Sequence, residues 1–389
     1  MATRPQPTPG NTSVDLFHDA IIRRQVYLGR YSNTLNKRIG ALLDKTEQDV
    51  RHQLELRLAK MVQQGVDFGP DTTSRLKVLE ASLRELRGVA WREVEEVWTT
   101  ELQGLAKAEA KFLDSAFKEN LGVVVETALP PLSRLASILG SNPFEGKVLK
   151  DWAATLAKGD IERMMAQIRI GLTQGETMDA ITRRLLGSGP FDGLDGVLSI
   201  ARKHAESVTR TAVQHISNEA RSMYFEANED LIEEEMFVAT LDGRTTAICR
   251  ANDGTIHPVG EGPQPPLHWN CRSLRVAVFN QTLIGDRPAK AWLEKDMEGL
   301  TKDEQRELKR RLTGRVPANT TYQQFLERQT ADFQKEVLGV TKAELFRNGG
   351  LKLDKFVDMN SGREFTLEQL AKAEPAAFRR AGLDPKDFR

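Results

Sequence analysis

The chain has 389 residues, and its 55 lysines and arginines are balanced by 55 aspartates and glutamates, so its formal net charge at pH 7 is zero. A neutral protein has no overall field that would draw it onto DNA, so contact with DNA would require a local basic patch. Two cysteines are too few for a scaffold built on disulfides. The length fits two or three domains, and the excess of charged residues (28%) over aromatic ones (6%) favours helices with wide solvated faces.

The first part of the chain predicts a soluble protein. Residues 1–12 are rich in proline and threonine, which bury too little apolar surface to become ordered, so we expect a disordered arm. This part lacks the apolar segment of a secretory signal, and the chain has no run of about 18 apolar residues that could span a membrane. We therefore expect a protein that is made in the cytoplasm and has no membrane partner.

Residues 13–186 have the pattern of a helical N-terminal domain. Between residues 74 and 120, apolar side chains recur mostly at steps of three and four, which places them on one face of a long helix; they include Leu76, Leu79, Leu83, Val94 and Leu102. The stripe is not a strict heptad, which favours a helix inside a bundle over a coiled coil with another subunit. Pro130–Pro131 and the Gly140–Pro143 segment interrupt the pattern, and shorter helices are expected after them.

A glycine-rich linker precedes the predicted central domain, residues 197–280. Residues 187–196 contain four glycines and one proline, which is typical of a loop at a domain boundary. A long helical pattern then continues to residue 230. Residues 236–241 and 273–279 have the composition of strands, and we expect them to pair antiparallel with a long loop between them.

The C-terminal region, residues 281–389, is expected to be mostly helical from Pro288 onward. It has a break at Gly349–Gly350 and a short amphipathic segment at residues 351–357. The sequence as a whole predicts a mainly α fold with a small α+β central domain. In this prediction the N-terminal half is helical, the central module is β-hairpin-like with a long loop, and the C-terminal part is helical.

Both cysteines and two of the six histidines lie in the long central loop. They are the residue types that bind zinc tetrahedrally, namely Cys249, His257, His268 and Cys271. Cys249 lacks the second cysteine, separated from the first by two residues, that is typical of zinc signatures. Two alternatives are that the cysteines are buried as small apolar residues or are joined by a disulfide, with ordinary hydrogen-bonded histidines. The sequence thus allows zinc as a cofactor without requiring any cofactor.

Charged residues in the same loop are expected to stabilise turns. Asp242 and Arg244 flank a glycine directly after the first strand. We expect Asp242 to accept backbone N–H bonds and Arg244 to pair with a loop carboxylate. Arg272 is expected to brace loop carbonyls in the same way, and Asn252-Asp253-Gly254 has the composition of a tight turn.

The helix before the loop carries one polar face, because steps of four, four and three separate Arg210, Gln214, Asn218 and Arg221. This face is either solvated or holds the loop backbone through Asn218 and Arg221. The sequence leaves both interpretations open. Basic pairs such as Arg183–Arg184 lack the interleaved aromatic side chains that stack on bases, which favours solvated helix faces over a DNA track.

Several short motifs occur in a fixed order along the helix and the loop. The helix has R-T, N-x-A-R and Y, and the loop has D-x-R-T-x-x-x-C, a D-G turn and P-P-x-H-x-N-C-R. The residues that carry them include Arg210, Asn218, Arg221, Asp242, Arg244, Thr245, Cys249, Asp253, Gly254, Pro266, His268, Asn270, Cys271 and Arg272. Over residues 197–372 the chain resembles the phage head morphogenesis family, which includes the phage Mu F-like and SPP1 minor head proteins. Many members have two further cysteines, one shortly before Cys249, where this chain has Thr246 or a neighbour, and one where it has Ser273, so a four-cysteine site is impossible here.

The resemblance implies a minor head protein of a tailed bacteriophage that is not an enzyme, and familiar enzyme motifs are absent from the sequence. It implies a place in the virion head near the portal vertex. The implied partners are the portal protein and major capsid or scaffold proteins, with DNA contact during packaging or ejection. The alternative is a metal-dependent nuclease or nucleic-acid-binding protein that uses the Cys/His loop, because His257, His268 and Asn270 are loosely similar to a His-Asn-His site. A toxin is not expected, because residues 281–389 contain no histidine or cysteine.

Overall fold

A computed structural model describes residues 13–64, 70–120, 126–191, 193–279 and 285–388. The predicted N-terminal arm, residues 1–12, lies outside these ranges. The chain divides into two compact units, each assembled from separate segments. Unit 1 consists of residues 1–26, 109–130 and 218–389, and unit 2 consists of residues 27–108 and 131–217. The domain boundaries given above, at 13–186, 197–280 and 281–389, stay predictions.

Helices dominate the described residues. The α-helices are α1 (Ser13–Asp44), α2 (Glu47–Gln64), α3 (Pro70–Asn120), α4 (Leu132–Ser141), α5 (Leu149–Thr173), α6 (Met178–Leu186), α7 (Leu198–Glu226), α8 (Ala247–Asn252), α9 (Lys302–Leu312), α10 (Tyr322–Glu327), α11 (Ala331–Leu338), α12 (Val340–Arg347), α13 (Leu367–Ala373) and α14 (Pro375–Arg380). Short 3₁₀ helices lie at Gly189–Phe191, Glu294–Met297, Leu353–Phe356 and Pro385–Phe388. The strands are β1 (Glu234–Val238), β2 (Ile256–Pro258), β3 (Leu274–Val278), β4 (Asp286–Lys290) and β5 (Thr313–Pro317). The predicted fold class, mainly α with a small α+β module, is confirmed.

Unit 2 is built around the apolar stripe that the sequence predicts on α3. Leu76, Leu79 and Leu83 are buried against apolar side chains of α2, α5 and α6, which include Val50, Leu54, Ile161, Met164, Ile168 and Ile181. A charged pair is buried in the same unit. The Arg87 guanidinium donates to Asp160 Oδ2 at 2.8 Å, and the Trp91 indole donates to the same oxygen at 3.0 Å. The helices of unit 2 therefore pack through an apolar stripe that is extended by one desolvated ion pair.

The glycine-rich linker, of which residue 192 is not described, closes on itself at the end of α6. Gly187 has a φ of +81°, a backbone conformation that favours glycine. A Cβ on Gly196 would lie 2.3 Å from the backbone nitrogen of Gly187, so a side chain there would collide with the main chain. The Asp195 carboxylate accepts bonds from the backbone N–H and the hydroxyl of Ser188 at 2.8 Å each. The glycines are therefore needed for a close backbone approach.

The sheet of unit 1 has the strand order β2-β1-β3, with both neighbours antiparallel to β1. Glu234 pairs with Val278 and Val238 pairs with Leu274, so the predicted antiparallel pairing of the two strands is confirmed. Strand β2 lies inside the long loop and was not predicted. The sheet packs on the start of α1, the end of α3 and the end of α7 through Phe17, Ile21, Leu113, Phe117, Tyr224 and Phe225.

The start of the C-terminal region differs from the prediction. Helix was expected from Pro288 onward, but Pro288 lies in β4 and pairs in register with Arg315 of β5. A two-stranded ribbon tolerates a proline, because every strand in it is an edge strand. Helix α9 lies between the two strands in sequence. The later helices α10 to α14 do form, around a core that includes Tyr322, Phe325, Phe333, Phe346, Leu370 and Phe378.

No helix in the described ranges combines the length and apolarity needed to cross a membrane.

We predict that Asp160→Asn strongly destabilises unit 2. The substitution leaves the Arg87 guanidinium, whose side chain is 1% exposed, buried without a negative partner. Breaking a buried pair from one side costs about 3–5 kcal/mol in the free energy of unfolding, which urea titration followed by circular dichroism would measure. Glu80→Gln is the matched control, because Glu80 pairs with Arg84 at the surface of the same unit and exposed pairs contribute little. Equal effects of the two substitutions would contradict the prediction.

Candidate functional site

Three of the four predicted metal-binding side chains converge in unit 1. Cys249 lies on α8, and His268 and Cys271 lie in the loop between β2 and β3. The Cys249 sulfur is 3.3 Å from His268 Nε2 and 3.8 Å from the Cys271 sulfur. The three potential ligand atoms all lie within 4.8 Å of one another. Residues that are 22 positions apart in the chain are thus brought to one point.

Both cysteines are free and buried, in an apolar cluster that includes Phe237, Ile248 and Val357. The contact with Cys271, together with burial, raises the pKa of Cys249. The same contact lowers the pKa of Cys271 well below its ordinary value. The sulfur–sulfur distance of 3.8 Å is far longer than the about 2.05 Å of a disulfide, so the two sulfurs are in contact but are not bonded to each other.

His268 is oriented by its own loop. Its Nδ1 lies 2.8 Å from the backbone carbonyl of Trp269. A carbonyl can only accept, so Nδ1 carries the proton, and in the neutral ring Nε2 carries the lone pair. That lone pair is on the nitrogen that faces the Cys249 sulfur. This is the ring orientation that metal-binding histidines usually have.

His257 does not join the other three residues. Its Nε2 lies 3.1 Å from the Thr255 hydroxyl, and its ring packs beneath Gly262, where a Cβ would come within 2.5 Å of it. The predicted set of four is therefore brought together as a set of three. His257 is instead the hydrogen-bonded loop histidine that the alternative interpretation described.

Asp242 forms a buried ion pair at the start of the loop. Its carboxylate accepts from the Arg272 guanidinium at 2.8 Å and from the Arg244 backbone N–H at 3.0 Å. The bond from the backbone N–H is the one that the turn composition predicts. Arg272, however, was expected to brace carbonyls and instead pairs with this carboxylate, because both groups are brought to the same end of the β1–β3 pair. The Thr245 hydroxyl also bonds to Asp242, at 3.3 Å.

The electrostatics of Asp242 reflect this pair. Burial alone would raise the pKa of the carboxyl, but the hydrogen bonds and positive charge of Arg272 outweigh it and hold the pKa below its ordinary value. The positive charge of Arg244 adds a smaller lowering effect, but its guanidinium does not bond to Asp242. That group extends to Glu294, with a distance of 4.0 Å between exposed side chains.

Asp253 is the most highly connected carboxylate of the site. It accepts backbone N–H bonds from Ala239 and from Tyr322, both at 2.6 Å. It also accepts two bonds from the Arg287 guanidinium, at 3.0 and 3.1 Å. Arg287 in turn donates to the backbone carbonyls of Thr320 and Ala239. One buried pair thus joins the end of β1, the strand β4 and the start of α10.

The predicted tight turn at Asp253 does form. Gly254 has a φ of +87°, and its N–H donates to the Phe237 carbonyl at 2.8 Å. A Cβ at Gly254 would lie 2.8 Å from the Thr321 side chain, so both the conformation and the space require glycine. Further along the loop, Pro265–Pro266 is a cis peptide bond and Asn270 has a φ of +58°. The cis bond and Asn270 both lie in the loop segment that carries His268 and Cys271.

Three residues of the polar face of α7 have different partners. The Asn218 amide bonds to the backbone at both ends of Leu274, with its nitrogen 3.3 Å from the Ser273 carbonyl and its oxygen 3.4 Å from the Arg275 nitrogen. Asn218 therefore braces the end of the loop, as one of the two interpretations proposed. Arg221 is also buried but does not reach the loop, and Arg210 is exposed and pairs with Glu206.

Arg221 belongs to a buried triad with Glu109 of α3. Its guanidinium donates twice to Glu109 Oε1, at 2.9 and 2.6 Å. Arg24 of α1 donates to the other oxygen of the same carboxylate at 2.9 Å. Glu109 and Arg221 are both completely buried. The motif arginine therefore ties α7 to α3 inside unit 1.

Sequence reasoning missed Arg275 and Glu235, which also hold the loop. Arg275 alternates with apolar residues along β3, which is typical of a solvated strand face, but every residue of β3 is buried. Its guanidinium pairs with Glu235 at 2.9 Å and donates to the carbonyls of Pro263 and Glu261, also at 2.9 Å. A signal was present: an acidic residue of β1 and a basic residue of β3 fall on one face of paired strands once the register is known.

A family model described as Phage Mu protein F like protein matches residues 162–275. The matched segment contains α7, β1, α8, β2 and the Cys/His loop. The resemblance to the phage head morphogenesis family is therefore confirmed over this part of the chain. No curated protein and no solved structure matched the chain.

We predict that Asp253→Asn destabilises unit 1 by about 3–5 kcal/mol. Ala239 N–H, Tyr322 N–H and the Arg287 guanidinium all donate to this side chain, so an amide NH₂ would face a donor at a position where only an acceptor fits. Urea unfolding would measure the loss. Asp303→Asn is the control, since the Asp303–Arg306 pair is exposed on both sides. A stability like that of the wild type would show that the buried pair is dispensable.

We predict that Asp242→Asn removes a pH-dependent part of the stability. Because the pKa of Asp242 is lower in the folded protein than in the unfolded chain, its carboxylate stabilises the fold above the ordinary aspartate pKa. This contribution is lost as the pH falls through the folded value. The wild type should exceed the variant by about 1–3 kcal/mol at pH 7, and this difference should shrink below about pH 4. Urea unfolding between pH 3 and 7 would test this, and a difference independent of pH would refute it.

Proposed function

We propose that this protein is a minor head protein of a tailed bacteriophage that acts in head assembly at or near the portal. The match of residues 162–275 to Phage Mu protein F like proteins carries the proposal. The proposed location is the virion head near the portal vertex. The proposed partners are the portal protein and major capsid or scaffold proteins, with contact to DNA during packaging or ejection.

The use of the motif residues supports an architectural role. The carboxylates of Asp242 and Asp253 are each engaged by an arginine and by backbone N–H groups of the same chain. Asn218 holds the first residues of β3. Side chains committed in this way position backbone segments relative to one another. An assembly protein needs such a rigid module if it is to present a fixed surface to its partners.

The positions of the histidines and of Asp242 do not support the nuclease alternative. A His-Asn-His site would need His268, His257 and an acid such as Asp242 to face one metal ion. His268 faces the cysteine sulfur, His257 bonds to Thr255, and Asp242 is paired with Arg272. Each of the three is directed to a different partner, which favours the structural proposal.

The long helices of unit 2 are the proposed element for portal docking. An amphipathic helix can lend its outer face to a groove of a partner. Large apolar side chains are exposed on α1, α2 and α3 in this unit, among them Tyr27, Leu56, Val78 and Val89. Deleting the N-terminal half would not test this element cleanly, because Phe17 and Leu113 belong to the core of unit 1. The test therefore uses the full chain.

We expect particles of the parent phage to contain this protein and to cross-link it to the portal through unit 2. Purified heads would be treated with an amine-reactive cross-linker and examined by mass spectrometry. Portal cross-links should come from exposed lysines of α1 and α3 such as Lys37 and Lys77. Lys352 and Lys355, which are equally exposed in unit 1, are the internal control.

Two results would refute the proposal in separable ways. If the protein is absent from mature and precursor heads, the virion role is wrong. If it is present but portal cross-links arise from the control lysines, the assignment of docking to unit 2 is wrong. Cleavage of plasmid DNA by the purified chain with Mg²⁺, lost in His268→Ala, would favour the nuclease alternative.

A further inference from the structure

We propose that Cys249, His268 and Cys271 bind one zinc ion that fastens α8 to the loop between β2 and β3. The inference concerns the purified chain and does not depend on the proposed role in the virion. His257, the fourth residue of the sequence-based set, is not a ligand in this proposal.

The distances between the ligand atoms fit a tetrahedral zinc ion. Zinc binds thiolate sulfur at about 2.3 Å and imidazole nitrogen at about 2.0–2.1 Å, so two sulfurs on one ion lie about 3.8 Å apart and a sulfur and a nitrogen about 3.6 Å apart. The Cys249 and Cys271 sulfurs are 3.8 Å apart, and Cys249 Sγ is 3.3 Å from His268 Nε2. Two of the three distances thus match the spacing of one coordination sphere, and all three ligand atoms lie within 4.8 Å of one another.

The ligand chemistry favours zinc over Mg²⁺ and Ca²⁺. Two thiolates and one imidazole are soft or borderline donors, whereas Mg²⁺ and Ca²⁺ require oxygen ligands. The carbonyl of Trp269 fixes the His268 ring so that Nε2 presents its lone pair. Such a carbonyl behind the ring is the usual outer partner of a zinc-bound histidine. Packing of two cysteines as small apolar residues would not require this orientation of His268.

In this proposal the fourth ligand lies on the Ser273 side of the cluster. The Ser273 side chain hydrogen-bonds to the Cys249 thiol, so its hydroxyl lies beside the cluster. Water or this hydroxyl would complete the coordination. Ser273→Cys would supply a third sulfur, and we expect it to slow the release of zinc to a chelator. Ser273 is 2% exposed, so this substitution tests the position of the ion while Cys249, His268 and Cys271 stay in place.

A zinc ion would stabilise a part of unit 1 that has little regular structure. Between β2 and β3 the chain runs for fifteen residues, 259–273, without a helix or strand. Arg275 holds the first part of this loop through Glu261 and Pro263. His268 and Cys271 lie in its second part, and an ion shared with Cys249 would tie that part to α8. Metal binding of this kind is coupled to the folding of the segment.

The test is metal binding by the full chain, purified under reducing conditions and stripped of metal. Mass spectrometry of the metal content after incubation with Zn²⁺ and desalting should give one equivalent for the wild type and for His257→Ala. Cys271→Ser and His268→Ala should each lower the affinity by more than about 100-fold in competition with a chromogenic chelator. Co²⁺ in place of zinc should give thiolate-to-metal charge-transfer absorption in the wild type, which Cys271→Ser should weaken.

Separate results would overturn the proposal. A folded, fully reduced wild-type chain that binds no zinc excludes the site. Equal binding by the wild type and by Cys271→Ser places the ion elsewhere, and loss of binding in His257→Ala would restore the set of four. Thiol titration of the denatured, unreduced protein should give two thiols, whereas none would establish a disulfide instead. If Cys271→Ser does not fold, the cobalt spectrum of the wild type and the slower release from Ser273→Cys still decide the question.

Discussion

The ion pair between Asp253 and Arg287 is the interaction on which the rest of unit 1 depends. It is almost fully desolvated, with side-chain exposures of 0% and 4%. Removing two charges from water is costly, and the cost is recovered only when every remaining donor and acceptor has a partner. Here the partners are backbone groups at Ala239, Thr320 and Tyr322. The pair therefore provides hydrogen-bond partners for backbone groups just beyond the end of β1 and at the start of α10. In this way it joins the central sheet to the C-terminal helices.

Other buried acids are also paired with arginines. Glu109 is held by Arg221 and Arg24, Glu235 by Arg275, and Asp160 by Arg87. Each pair connects elements that are distant in sequence. Apolar contacts would tolerate small shifts between such elements, whereas a bidentate guanidinium fixes both distance and angle. We infer that these pairs serve to position the elements of each unit more than to increase its stability, because replacing a buried pair by apolar residues often costs little.

The motif residues are of the types found in active sites, but in this structure they hold the fold together. Acids, arginines and histidines in a glycine-rich loop are the usual components of catalysis. In this chain the acids are neutralised by arginines and the loop carbonyls are occupied by Arg275. Charged groups that are fully engaged in the folded state have little capacity left to bind a substrate. The Cys/His cluster differs, because Nε2 of His268 and the two sulfurs are directed towards one another and have the chemistry of metal ligands.

The sequence alone determined the features that depend on local periodicity. The stripe on α3, the long helix α7 and the antiparallel pairing of β1 with β3 follow from residue spacing, because 3.6-residue and two-residue repeats report directly which side of an element is buried. The need for glycine at Gly254 also follows from its turn composition. The ordered motifs on α7 and in the loop were sufficient to identify the family resemblance.

Only the tertiary structure decided which distant residues meet. The pairing of Asp253 with Arg287 and of Arg221 with Glu109 joins residues 34 and 112 positions apart, and no local pattern encodes such a contact. The short strands β4 and β5 carry no apolar alternation, so the pattern around Pro288 resembled a helix. His257 and His268 have the same chemistry and lie in the same loop, and composition could not separate them. The path of the backbone separates them, because it turns one imidazole towards Thr255 and the other towards the two sulfurs.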